Sequence, residues 1–273
     1  MEKFPGLDEQ QYVKVRRRVH SIAMLIGRFR EVLVQPIAKN DNIWLSVVSK
    51  GFCTPPINNL NELEIGFNAE ILCVEIANNQ GKYLSISVLE KSLNELCAEM
   101  LEVLKNNFSV NPGLSADEFD AQRKIEIDEK GAQEFLLEFV NFSELLRAFH
   151  KSIPMSEGVK SQICLWPHNF DNSFKWFSGK KIDEVDEFME VGVSNGDDMY
   201  ELPYVYFTIH PELRKMNTLE VPEGAHIHDE RWQGLLLPYE AVIDKNNADE
   251  QSAVVNNFLE VGFKGIKRGF GKR

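Results

Sequence analysis

The sequence predicts an α+β protein in which antiparallel sheet carries long helices on one face. Three observations lead there. Four stretches repeat apolar residues at threes and fours, the shorter runs between them alternate apolar with polar residues, and 273 residues at 43% hydrophobic and 26% charged supply a sizeable core. Read coarsely, each half of the chain runs helix, strands, helix. That order suggests two pseudo-symmetric α-β-α halves, 1–110 and 111–273, joined as one compact body.

The first helix is predicted to start at the N-cap Asp8, with Tyr12, Val15, Val19, Ile22, Ala23, Ile26, Phe29, Val32 and Leu33 as its apolar face, and to stop at Pro36. Lys14, Arg16, Arg17 and Arg18 read as a solvated basic face. A strand is expected over Trp44 to Val48, followed by a turn from Lys50 to Ile57, because Pro55 and Pro56 forbid a continuing ladder. Leu63 to Phe67, Ile71 to Ile76 and Tyr83 to Val88 read as antiparallel strands with one wet face, the last two joined by a hairpin at Asn78-Asn79-Gln80-Gly81. Ser92 caps a helix through Leu104.

Periodicity fails from Asn106 to Asp120, and Asn111-Pro112-Gly113 marks a loop or a join. A short strand, Lys124 to Ile127, is expected before Asp128 and a long helix whose stripe includes Phe135, Phe139, Phe142 and Phe149. Ser161 to Leu165 reads as a strand ended by Trp166-Pro167, and Asn169 to Trp176 as a turn or short helix closed at Ser178-Gly179. Strands follow near Phe188 to Val193, over Tyr204 to Ile209 and over Gly234 to Tyr239. Asn247 or Asp249 opens a closing helix, and Gly262, Gly265, Gly269 and Gly271 read as a fraying basic tail.

A net charge of −12 argues against nucleic acid as the main partner, since that binding neutralises phosphates with basic side chains. No segment approaches the roughly 20 apolar residues of a membrane span. The amino terminus has no secretory apolar stretch, and the scattered Cys53, Cys73, Cys97 and Cys164 form no CxxC pair; all this points to a cytoplasmic protein with free thiols.

Aromatic and polar residues concentrate between Gln162 and Lys180. Trp166, Phe170, Trp176 and Lys180, joined by Asp197, Tyr204 and Tyr206, are expected to rim a small-ligand cleft. Within it His168 and Asp171 form a candidate general-base pair, the carboxylate orienting the imidazole for acid/base or hydrolytic chemistry. The alternative makes Asp171 a helix cap, His168 an exposed side chain and the whole protein a non-enzymatic interaction module. His226 and His228 have His-x-His metal spacing, but Pro222-Glu223-Gly224 beside them reads as surface loop, so no metal site is assigned. No Gly-x-Ser-x-Gly elbow, GxGxxG or Walker loop is present, and no cofactor is indicated.

The blocks HSIAMLIGRFREVL, WLSVVSKGFCTPPI, WPHNFDNSFKWFSGK, GVSNGDDMYELPYVYFTIHPE and WQGLLLPYEAV, in that order, resemble the bacterial DUF5996 family of unknown function. The family's strand-ending tryptophan, Phe-Asp pair and Phe-Ser-Gly turn are matched by Trp166, by Phe170 with Asp171, and by Phe177-Ser178-Gly179. Lys180 stands where arginine is common in that pattern, which weakens bidentate anion recognition there. The resemblance implies extent and order and carries no chemistry.

Overall fold

Asp8 accepts the backbone N–H of Gln11 at 2.9 Å and starts α1 (Glu9–Leu33) where its spacing predicts. A computed structural model describes residues 1–36, 42–213, 216 and 219–270. Among them are five α-helices and two antiparallel sheets of five and seven strands, an α+β architecture. No helix in this set is long and apolar enough to cross a membrane. The chain divides into two compact units. The first comprises Leu7–Val140 with Leu165–Phe170, the second Met1–Gly6, Asn141–Cys164 and Asp171–Arg273.

In the first unit, β1 (Ser46–Val48), β2 (Gly51–Cys53), β3 (Glu64–Asn68), β4 (Cys73–Ala77) and β5 (Tyr83–Ser87) pair in chain order. The expected turn over Lys50 to Ile57 is shorter in fact. Gly51–Cys53 pairs back on β1 as a strand, and only then do Pro55 and Pro56 end the ladder. Alternation assigns the faces as predicted: Val74 and Ile76 are fully buried, while Glu75 on the other face accepts from Asn68 and from the Tyr83 hydroxyl at 2.6 Å. Ser92 and Glu95 form a capping box that opens α2 (Leu93–Phe108). Lys124 to Ile127 is no strand; it contributes a single bridge, Ser92 with Lys124. Arg16 also departs from expectation, for it is buried in the face of α1 that carries Tyr12 and Val15, while Lys14 and Arg17 are exposed.

Helix α3 (Glu129–Ser152) opens where Asp128 accepts the N–H of Gly131. Its residues to Val140 belong to the first unit and those from Asn141 to the second. The second unit holds β6 (Val159–Lys160), β8 (Asp171–Ile182), β9 (Val185–Ser194), β10 (Tyr204–His210), β11 (His226–His228) and β12 (Gly234–Pro238), in the order β11-β12-β10-β9-β8-β6; the seventh strand of this sheet, β7 (Cys164–Trp166), is divided, with Cys164 in the second unit and Leu165 and Trp166 in the first. The largest correction falls here. Of the turn or short helix expected over Asn169 to Trp176 only Asn169 and Phe170 lie in a turn, because from Asp171 onward the chain is a twelve-residue strand paired with β9.

One face of this sheet is apolar. Phe174 meets Phe149, Phe207 meets Phe258, and Trp176 lies between Phe263 and Phe270 of α5 (Ala248–Phe270). The expected glycine-rich tail is part of that helix through Gly269, with Gly262 against the Phe207 ring; Gly271 lies outside the described residues. Helix α4 (Tyr239–Ile243) begins at Tyr239, which was expected to end a strand. The Tyr239 hydroxyl instead donates to the Pro5 carbonyl at 2.7 Å, holding the amino-terminal segment in which Phe4 packs on Phe142.

Candidate functional site

The other face of the seven-stranded sheet is polar and aromatic, buried around Asp171 and exposed at its His226 edge. Register sets its membership. Tyr204 pairs with Ser194 and Ser194 with Asp171; Tyr206 pairs with Gly192 and Gly192 with Ser173; on the far side Tyr206 pairs with Leu236, and Leu236 with His226. Residues two apart on a strand share a face, so Asp171, Ser173, Glu190, Ser194, Tyr204, Tyr206, Leu236, His226 and His228 line one surface.

Its centre is Asp171, 6% exposed. One carboxylate oxygen accepts the Tyr206 hydroxyl, and the other, buried, has no hydrogen-bond partner. Tyr206 stands two strands away, and Gly192 on the intervening strand is what lets it reach. A Cβ at that position would lie 2.6 Å from the Tyr206 ring carbon and hydroxyl and 2.7 Å from Ser173 Cβ. Burial, and then the charge of Glu190, push the Asp171 carboxyl up to about 7, against the downward pull of the hydrogen bond from Tyr206. Burial first, then Asp171 and Glu190, hold the Tyr206 phenol well above its ordinary value. Ser173 donates to Glu190 at 2.6 Å, and the Tyr204 hydroxyl to Asp197 at 2.8 Å.

Toward the far edge of the sheet the rings close into a circuit. Centroid distances are 5.4 Å from Tyr200 to Tyr204, 6.0 Å from Tyr204 to Tyr206, 5.9 Å from Tyr206 to Trp232, 4.0 Å from Trp232 to His228 and 6.0 Å from His228 back to Tyr200. Leu236, fully buried, packs beneath Tyr204 and Tyr206. The Tyr200 hydroxyl lies 3.3 Å from His226 Nε2 and 3.4 Å from His228 Nδ1, while His228 Nε2 is buried without a partner. Burial lowers the His228 pKa and favours its neutral form. His226 and His228 therefore meet at a tyrosine. Among the described residues no three His, Cys, Asp or Glu side chains are grouped to hold a metal ion.

The residues expected to rim one cleft are distributed as follows. Asp171, Asp197, Tyr204 and Tyr206 come together on the polar face. Trp176, an odd number of residues from Asp171 along β8, lies on the apolar face and is 2% exposed. Lys180 is exposed near the end of β8, past the irregularity that begins at Phe177. Trp166, His168 and Phe170 belong to the first unit, so His168 and Asp171 fall in different units. There Phe170 takes a left-handed backbone (φ 57°) and stacks on His20 at 4.9 Å and on Phe135 at 6.1 Å. His20 Nε2 is 2.7 Å from the Pro167 carbonyl, and Pro167 sits where a Cβ on Gly27 would intrude at 2.7 Å. His168 is exposed, edge-on to Trp166 at 6.0 Å.

Four contributors were not legible in advance: Tyr200, Trp232, Glu190 and Gly192. Only Gly192 carried a local signal, a glycine inside an alternating strand, which marks close approach by another group.

The model of a family of unknown function, DUF5996, matches residues 4–266 of the chain. No curated protein and no solved structure matches it.

Proposed function

Given that the chain belongs to the DUF5996 family of unknown function, we propose from the site alone that this protein binds a small molecule against the polar face of its seven-stranded sheet, and that Asp171 exchanges a proton with it near neutral pH. One observation carries the reading: a carboxyl group buried to 6% exposure keeps one oxygen unpartnered while the other is held by the Tyr206 hydroxyl. Leaving such an atom unmet costs about 1–3 kcal/mol, a cost a bound donor would offset. A carboxyl held at about 7 can both give and take a proton at neutral pH. The acid/base expectation thus moves from a His168–Asp171 pair to Asp171 with Tyr206. The scattered spacing of Cys53, Cys73, Cys97 and Cys164, with no CxxC pair, supports a reducing, cytosolic setting.

The test is a thermal-shift screen of small metabolites on the full chain and on Asp171→Asn. A ligand at a hundred times its dissociation constant contributes about 2.7 kcal/mol of stability. Compounds that stabilise the wild type are expected to lose at least half their shift in the variant. Equal shifts in both proteins, or none in either, would overturn the proposal. A second reading, an interaction module whose aromatic residues are structural, is favoured specifically by Phe170 and Trp176, each nearly fully buried in ring packing.

A further inference from the structure

The ring circuit beside Asp171 has a composition that selects a charge type. Five rings follow one another around it, those of Tyr200, Tyr204, Tyr206, Trp232 and His228, with neighbouring centroids no more than 6.0 Å apart. Two of the phenols donate to carboxylates, Tyr204 to Asp197 and Tyr206 to Asp171. A phenol that donates to an anion gains electron density on its ring, and the negative potential over the ring face is what attracts a cation. The charged groups that act on Tyr200 and His228 from the adjoining segments are mainly acids as well: Asp197 and Glu230 on both, and Asp229 on His228. His226 is a titratable base beside them. Two buried atoms in the cluster are unpartnered, Asp171 Oδ1 and His228 Nε2, at 6% and 3% residue exposure. Tyr200 and Trp232 are only half-buried and His226 is exposed, so the circuit has an edge at the surface of its unit.

We propose that this circuit is a binding site for an organic cation, an alkylated ammonium group received by the Tyr200, Tyr204 and Trp232 rings with Asp197 and Asp171 supplying the negative field. The inference rests on the small-ligand reading above and narrows its ligand to one class. Anionic ligands are disfavoured here by the same carboxylates. Metal cations are disfavoured too, since they need several convergent oxygen or nitrogen ligands, whereas rings of this kind offer diffuse π density.

The test uses the full chain and two probes of similar shape and different charge: tetramethylammonium chloride, with equal sodium chloride as the ionic control, and tert-butanol. Binding is read by saturation-transfer NMR on the methyl resonance and by calorimetry. Tetramethylammonium is expected to bind at least about tenfold more tightly than tert-butanol, the ratio that ~1.4 kcal/mol of cation–π attraction gives. Trp232→Leu, which keeps bulk and removes the ring's π density, should weaken the cation about tenfold. Trp232→Phe should weaken it less, and shows that the site still folds. Equal binding of the two probes would overturn the inference and leave an apolar small-molecule site. No binding of tetramethylammonium, or binding unchanged in Trp232→Leu, would overturn it outright. Cation binding retained in Asp171→Asn would instead leave the ring site standing with Asp197 and remove Asp171 from its negative field.

Discussion

Each unit buries one carboxylic acid against a tyrosine hydroxyl, and what surrounds the pair differs. In the first unit Glu138, 0% exposed, accepts from Tyr12 at 3.3 Å through one oxygen and leaves the other unpartnered. It sits on a helix whose neighbouring positions are Phe135 and Phe139, with the Tyr12 ring stacked 6.1 Å from Phe135. Burial alone drives its carboxyl well above the ordinary range, opposed only by Tyr12. In the second unit Asp171 is as deep but has Glu190, Ser173 and Tyr206 about it, and it is held at about 7. Depth by itself raises the proton affinity of a carboxylic acid and favours its neutral form, which a core tolerates. Depth with competing neighbours makes one that titrates where a cell operates.

The comparison can be broken most decisively by the dependence of stability on pH. A carboxyl whose folded pKa is raised keeps a proton that the unfolded chain has already lost. Its favourable contribution is complete below the unfolded value and declines as pH rises toward the folded one. For Asp171 the window runs from 3.8 to about 7, a decline of roughly 4 kcal/mol at about 1.4 kcal/mol per unit. Asp171→Asn should remove that decline, seen in urea midpoints against pH as a difference curve that levels off near neutrality. Glu138→Gln should remove a decline that begins near 4.5 and is set by burial, opposed by the Tyr12 hydrogen bond, with no contribution from a neighbouring charge. Identical difference curves for the two variants would mean the acids are equivalent and the contrast has no content.

A smaller effect sharpens the same contrast. Tyr206→Phe deletes the hydrogen bond that pulls the Asp171 carboxyl down, so the Asp171 midpoint should rise while stability falls by about 1–2 kcal/mol. Tyr12→Phe removes a longer bond and should cost less, about 0.5–1 kcal/mol. Carboxyl-resolved NMR titration reads the first outcome and chemical denaturation both. An Asp171 midpoint unmoved in Tyr206→Phe would show that the phenol holds the acid in place without setting its proton affinity.

Local chemistry explains which parts of this were legible beforehand. Asp8, Ser92 with Glu95, and Asp128 announce helix starts because a cap is a contact within four residues. Val74 and Ile76 announce a strand because alternation needs only the strand itself. Asp171-Asn172-Ser173 reads as a turn for the same reason, since short polar residues satisfy a turn locally. Here they are buried in a strand instead, because Tyr206, Ser143 and Glu190, all distant in sequence, supply their hydrogen bonds. With the strand unrecognised, its parity was lost too, and Trp176 and Asp171 could not be assigned to opposite faces. Asp171, Tyr204, Tyr206 and Asp197 were found through their residue types. Tyr200 and Trp232 join them only through pairings between β10, β12 and β11 that no single stretch encodes.

The smallest expected effect bears on the residue that reading by type ranked highest. His168 is exposed, lies edge-on to the Trp166 ring and acts on His20 by its charge, so His168→Ala removes little packing and should change stability by no more than about 0.5 kcal/mol. If proton exchange belongs to Asp171 with Tyr206, the variant must also leave the Asp171 titration midpoint and the affinity for tetramethylammonium at their wild-type values. A shifted Asp171 midpoint would mean that the imidazole acts on the carboxyl after all. The pairing expected from their three-residue separation would then stand, and the contrast between the two buried acids would owe something to His168 as well as to Glu190 and Tyr206.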